Sequence, residues 1–320
     1  MAAATAGQSE ELSFSDATAL LFDPVPANRS ATRTALTTIG FRNVIAISEV
    51  RELDKFWKDR PFDLLVADIT QDASAVCDLV RAIRDGTVGA NPFAHIVLMA
   101  WKLEHDNVQR ALTCGADDLI TRPFSIDFLS ARVKVHTEAR KPFVVTSEYV
   151  GPDRRKTPPR DAVNLINVPN MLLAKARDFF AGTAGAAEEI RNTKAKVDAE
   201  RARKGAFKIA CQLRSLRDAI SASQPHSAEL DALDATAKDM AGRSVSADDN
   251  RIHDVASALV EEIGKARAGD AAVHLSQMDL MARTLLETLY PSHSREELLQ
   301  EVAKTVAGLK ARERKRQKIA

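Results

Sequence analysis

Between residues 17 and 140 the chain alternates two patterns of apolar and polar positions. Short, mostly apolar runs (ATALLFD, NVIAIS, DLLVADI, HIVLMAW, DLITRPF) are each followed by a stretch in which apolar residues recur three and four positions apart (ANRSATRTALTTIG, EVRELDKFWKDR, SAVCDLVRAIRDG, EHDNVQRALTCG, SIDFLSARVKVHTEAR). The first pattern is that of strands and the second that of amphipathic helices. LLFD, DLLVAD and HIVLMA are apolar throughout instead of alternating, as parallel strands covered on both faces are. Gly40 and Gly115 stand where helix C-caps are expected. Five strand-helix units in a row predict an α/β, doubly wound, five-stranded parallel sheet over residues 14–140, with 1–13 as a flexible N-terminal segment.

Residues 141–169 break both patterns. KPFVVTSEYVGPDRRKTPPRDAVNLINVP holds Pro142, Pro152, Pro158, Pro159 and Pro169, five of the twelve prolines. Each fixes φ and removes a backbone donor, so a proline-rich extended linker is expected. From Asn170 to residue 320 strand signals vanish and helix formers dominate. Four apolar stripes are legible: Ile209, Leu213, Leu216 and Ile220; Ile252, Val255, Leu259 and Ile263; Leu275, Met278, Met281, Leu285 and Leu289; Leu298, Val302, Val306 and Leu309. Single stripes need partners, so an all-α bundle, or a hairpin that forms a homodimer, is expected, with turns at Pro225, Gly242 and Pro291. Residues 191–204, with six basic and two acidic side chains, read as helix projecting into solvent.

Charge adds an asymmetry. The whole chain of 320 residues carries a formal +1, which argues against a dedicated nucleic-acid binder. Residues 1–150 hold 16 basic and 20 acidic side chains, leaving 29 and 24 for residues 151–320. Cys77, Cys114 and Cys211 are odd in number and lack CxxC spacing, so neither a disulfide framework nor a zinc site is indicated. With no leader-like N-terminus and no membrane-length apolar run, a cytoplasmic location is expected.

In an open doubly wound sheet, chemistry collects outside the carboxyl ends of the strands. Asp23, Asp68, Ala100 and Arg122-Pro123 stand at four of those ends. LLFDPVPANR, DLLVADI, HIVLMA, GADD and ITRPF resemble the successive motifs of the response-regulator receiver family, chemotaxis-regulator-like and of flavodoxin-like fold, across residues 14–140. The resemblance implies a phospho-switch of two-component signal transduction. Asp68 matches the phosphoacceptor that takes phosphate from a histidine kinase or phosphotransfer protein, and Asp23 with Asp68 would hold Mg²⁺. The ion would neutralise charge as phosphate is transferred. The proline matching Pro123 follows a cis bond in the family.

Four family positions are altered. Pro24 replaces a second metal carboxylate, so Mg²⁺ binding is weakened. Ala100 replaces the switch hydroxyl, Arg122 the lysine and Leu119 an aromatic. Losing the hydroxyl removes a charge-assisted hydrogen bond of about 1.5–3 kcal/mol. An atypical, degenerate receiver is thus implied: Asp68 still phosphorylated, or the domain a constitutive docking module.

The helical half offers weaker candidates. His253 beside Asp254 resembles the His-acid pair of phosphotransfer domains, Glu189/Asn192 has the spacing of a receiver phosphatase pair, and Glu296/Gln300 sit one turn apart. Arg154, Arg155 and Lys156 and a tail with Lys310, Arg312, Arg314, Lys315, Arg316 and Lys318 around Glu313 are basic enough to meet nucleic acid, but no aromatic interleaves them. No GxSxG, GKS/T or GxGxxG motif is present. The expectation is a bacterial response regulator, not an enzyme, whose helical domain acts by protein-protein interaction. Phosphotransfer or aspartyl-phosphate phosphatase activity is the first alternative, and nucleic-acid binding through the tail the second.

Overall fold

A computed structural model describes residues 12–102, 105–155, 164–177, 183–243 and 250–317. Most of the 1–13 segment therefore lies outside the described residues, as do Lys156, Pro158, Pro159 and Lys318 and the side chains of Glu313 and Arg316.

The chain divides into two compact units, Met1–Lys194 and Ala195–Ala320. The first begins with β1 (Thr18–Phe22), α1 (Pro26–Ile39), β2 (Asn43–Ile47), α2 (Val50–Asp59), β3 (Leu64–Asp68), α3 (Ala73–Arg84), β4 (His95–Ala100), α4 (His105–Thr113), β5 (Asp118–Thr121) and α5 (Ile126–Glu138). The strands form one sheet in the order β2-β1-β3-β4-β5, and every pair is parallel. The continuously apolar strands follow from burial on both faces. Leu20, Leu65, Ile96 and Leu98 pack with Leu53, Trp57 and Val80 on one side. Their neighbours Leu21, Leu64, Val66, Val97 and Met99 pack with Leu36, Leu129 and Val133 on the other. Each such side chain contributes about 1.5–3 kcal/mol of burial. Pro26 opens α1 where its missing N–H is harmless, and Gly40 ends it at φ +119°.

The expected linker is instead part of this unit. β6 (Phe143–Val145), β7 (Val150–Pro152) and β8 (Leu165–Ile166) pair antiparallel as a small sheet, followed by α6 (Met171–Ala176). Phe143 is the anchor: the guanidinium groups of Arg84 and Arg140 stack on its ring at 5.1 and 5.3 Å. Arg84, fully buried, donates to the carbonyls of Gly115, Pro92 and Ala94 and to Asp117. Arg154 donates to the Ala116 carbonyl. Leu172 and Ala176 join the sheet's core, and Lys175 pairs with buried Asp63 at 2.8 Å, so residues from 170 begin within the first unit. Prolines forbade a long helix here as expected, but not strands of two or three residues.

Thirty-nine-residue α7 (Thr183–Ser221) leads into the second unit, made otherwise of α8 (Ser227–Ala241), α9 (Asn250–Ala268), α10 (Ala271–Leu289) and α11 (Arg295–Gln317). Ile209, Leu213, Leu216, Leu259, Ile263, Met278, Leu285 and Leu298 from the four legible stripes share one core. That core also takes Leu230, Leu233, Ala237 and Met240 from α8, a helix the stripes did not mark. Two further expectations change. Leu309 is exposed, and Val197, Glu200, Arg201 and Ala202 are buried within the stretch expected to face solvent. Glu200 enters with its charge paired, Arg203 and Lys204 each 3.4 Å away. No helix among the described residues is long and apolar enough to cross a membrane.

Candidate functional site at the sheet mouth

Strand order reverses between β1 and β3, and the register aligns Phe22 with Ala67 and Asp68 with Met99. This brings the next residue after β1, Asp23, and the last of β3, Asp68, to the same mouth, where both are buried. Each carboxylate has one oxygen fixed by its own turn: Asp23 Oδ1 accepts from Val25 N–H at 2.9 Å, and Asp68 Oδ1 from Thr70 N–H at 2.8 Å. The other two oxygens face one guanidinium. Arg122 Nη2 donates to Asp23 Oδ2 at 2.7 Å, and Arg122 Nε lies 3.5 Å from Asp68 Oδ2.

Arg122 is itself buried, its side chain 7% exposed. Its Nη2 also donates to Thr32 Oγ1 at 2.9 Å and approaches the Met99 sulfur at 3.4 Å, while its guanidinium carbon lies 5.2 Å from the centre of the Phe124 ring. The Arg122–Pro123 bond is cis. Arg29 donates to the Asp23 carbonyl at 2.7 Å, closing the β1 end. Burial raises the pKa of Asp23, and the Asp68 charge adds to this. The Val25 N–H and Arg122 oppose it without reversing it. Asp68 Oδ2 and Arg122 Nε are both buried without a hydrogen-bond partner.

No family model matches this chain. A probable chemotaxis protein CheY of Rhizobium etli is 24% identical over 115 residues, 36% of this chain and 88% of its own length. A transcriptional regulatory protein, CseB, of Streptomyces coelicolor is 29% identical over 106 residues, 33% of this chain. The match spans only 43% of the CseB chain. A response regulator structure from Thermotoga maritima is 27% identical and aligns with 37% of this chain and 94% of its own, with a TM-score of 0.33. The N-terminal domain is a response-regulator receiver. The helical remainder has no recognised relative in these matches.

Within the receiver, Ala100 is buried at the end of β4, opposite Thr121, with only a methyl group to offer. Half-buried Leu119 packs against the core on the α3 side of the sheet. Pro24 follows Asp23 and contributes no acid. Mg²⁺ demands near-octahedral oxygen coordination at about 2.0–2.1 Å. Here the two oxygens that would supply it face a guanidinium, and no group of three or more His, Cys, Asp or Glu among the described residues could hold a metal. The residues present do not fit a divalent ion.

Thr32, Met99 and Arg29 were not marked by the sequence pattern. Thr32 was hidden because one polar residue inside an amphipathic helix looks like surface. In the helical half, His253 and Asp254 are exposed. His253 Nδ1 lies 2.7 Å from the Ala241 carbonyl, which can only accept, so Nδ1 carries the proton and Nε2 is left unprotonated in the neutral ring. Glu189, Asn192, Glu296 and Gln300 are exposed. Lys310 of the basic tail pairs with Asp218 at 2.6 Å, and Arg312, Arg314 and Lys315 are exposed.

Proposed function

We propose that this chain is a two-component-type signalling protein whose receiver works as a metal-independent docking module and whose helical domain acts by binding protein partners. The observation that carries this reading is the Arg122 guanidinium between Asp23 and Asp68. In a receiver of the phosphorylated kind, a dissociable cation offsets three carboxylates and the incoming phosphate. Here a covalently attached cation meets the carboxylates, and Ala100 has no hydroxyl with which to respond to a phosphoryl group. The names of the two relatives, a chemotaxis protein and a transcriptional regulatory protein, support a signalling role. They belong to proteins that share only the receiver part.

The test is titration of the full chain with Mg²⁺, then with beryllofluoride or acetyl phosphate, beside Asp68→Ala. The reading expects neither metal binding at millimolar Mg²⁺ nor an Asp68-dependent change in tryptophan fluorescence. Asp68-dependent phosphate uptake would overturn it.

The His253 ring geometry favours one second reading, phosphotransfer, because a nucleophilic imidazole needs one nitrogen protonated and oriented and the other open. Transfer of radiolabel from a phosphorylated donor to the full chain, abolished in His253→Ala, supports that reading. No label on the wild-type chain removes it.

A further inference from the structure

Within the helical unit, α7, α10 and α11 enclose a cleft of about 290 Å³. Its floor is apolar, formed by Leu213, Leu286 and Val302, with Leu299 partly open to water at its edge. Around it stand three arginines, Arg214, Arg217 and Arg283, against a single carboxylate, Asp279. Asp279 pairs with Arg217 and lies 3.8 Å from Arg283, beyond hydrogen-bond reach. Arg214 has no acidic partner among the described residues. The cleft therefore carries an excess of positive charge directly over an apolar surface.

We infer that this cleft binds a small organic anion, one carboxylate or phosphate group on an apolar body. A guanidinium presents a planar fork that matches either oxyanion by paired hydrogen bonds. Leu299, 42% exposed, gives the body an apolar surface to bury beside a floor of Leu213, Leu286 and Val302. The volume lies just below the roughly 300–1,000 Å³ of small-molecule sites, and such sites combine an apolar lining with a few convergent polar groups. A partner helix would instead need a groove with anchors repeating over several turns.

The experiment is isothermal titration of the full chain with decanoate, decyl phosphate, octanoate, decanol and inorganic phosphate. Decanoate or decyl phosphate should bind one per chain, and whichever is tighter distinguishes carboxylate from phosphate. Octanoate should bind about ten-fold more weakly than decanoate for its two missing methylenes. Decanol and inorganic phosphate, each with half of the chemistry, should bind far more weakly than either. Arg214→Gln with Arg283→Gln should weaken anion binding about ten-fold or more. Arg51→Gln, an exposed arginine of the other unit, should leave it unchanged. Both variants replace solvent-accessible side chains, and unchanged thermal melts confirm their folding. No binding of either anion, equal binding of decanol, or indifference to the double substitution overturns the inference. The Mg²⁺ titration reads the receiver independently of any of these results.

Discussion

Arg122 is held among Asp23, Thr32 and Met99, with Asp68 just beyond hydrogen-bond reach, so its removal leaves two buried carboxylates facing each other. Arg122→Ala should cost about 3–5 kcal/mol in urea unfolding, the cost of stranding a buried charge. The loss should shrink when millimolar Mg²⁺ is added, because the same two oxygens then face an open space, whereas the native chain should be indifferent to the ion. A second residue reports on pH. Burial, reinforced by Arg140 and Arg84 and opposed by Asp117 and the His136 carbonyl, holds His95 down to about 3 from its ordinary 6.5. The unfolded chain thus takes up a proton near pH 6.5 that the folded chain refuses until near pH 3. This contribution to stability is complete above 6.5 and falls by about 1.4 kcal/mol per pH unit as pH drops between those values. In His95→Gln, which keeps a donor for the His136 carbonyl, that slope should disappear from urea midpoints measured against pH. Asp23 and Asp68 were legible in the sequence because each closes a short apolar run that reads as a buried strand within a series of strand-helix units. The seat of Arg122 was not, since it depends on which helix brings Thr32 to the mouth and on Met99 of the neighbouring strand.

At the level of elements, the YVGPDRR stretch at residues 149–155 has a physical account. A Cβ on Gly151 would lie 2.8 Å from the Gly115 Cα and 2.6 Å from the Tyr149 hydroxyl, so β7 reaches the end of α4 only without a side chain. Gly115 itself sits at φ +97°, where other residues are strained. Arg154 then clasps the Ala116 carbonyl, and Asp153 is held by Arg155 beside it. Gly151→Ala should destabilise by about 1–3 kcal/mol, the cost of overpacking, and Phe143→Ala by about 3–5 kcal/mol, both read by urea midpoints. The five βα units were legible because apolar runs, several of them unbroken, are each followed by a helix long enough to show its period. β6 and β7 show none, being three residues each, and the contacts of Phe143 with Arg84 on α3 and Arg140 after α5 join residues far apart in sequence. α8 escaped notice for a different reason: Asp234 and Thr236 are buried among Leu230, Leu233, Ala237 and Met240, so polar positions interrupt its apolar stripe.

Across the whole molecule, each unit has a core of its own, one built on the sheet and one from Leu, Ile, Ala and Met of the five long helices. Calorimetry should show two transitions, with Arg122→Ala lowering only one and Leu259→Ala only the other. A single transition shifted equally by both would show that the cores unfold together. The relatives found cover the receiver alone, so the role of the helical unit rests on its own surface chemistry. The sequence showed that division as a change from alternating elements to continuous helix, but set it at the prolines. The structure sets it later, at Lys194, because β6, β7 and α6 add to the sheet's unit.

A counter-ion that is part of the chain is synthesised with it, in a fixed ratio of one to one. No chelator withdraws the guanidinium at the sheet mouth, and no swing in the cell's magnesium pool alters its occupancy. On the function proposed above, such a receiver would convey nothing through phosphate at this mouth, and its message would rest on copy number, on how many partners compete for it and on what the helical unit binds.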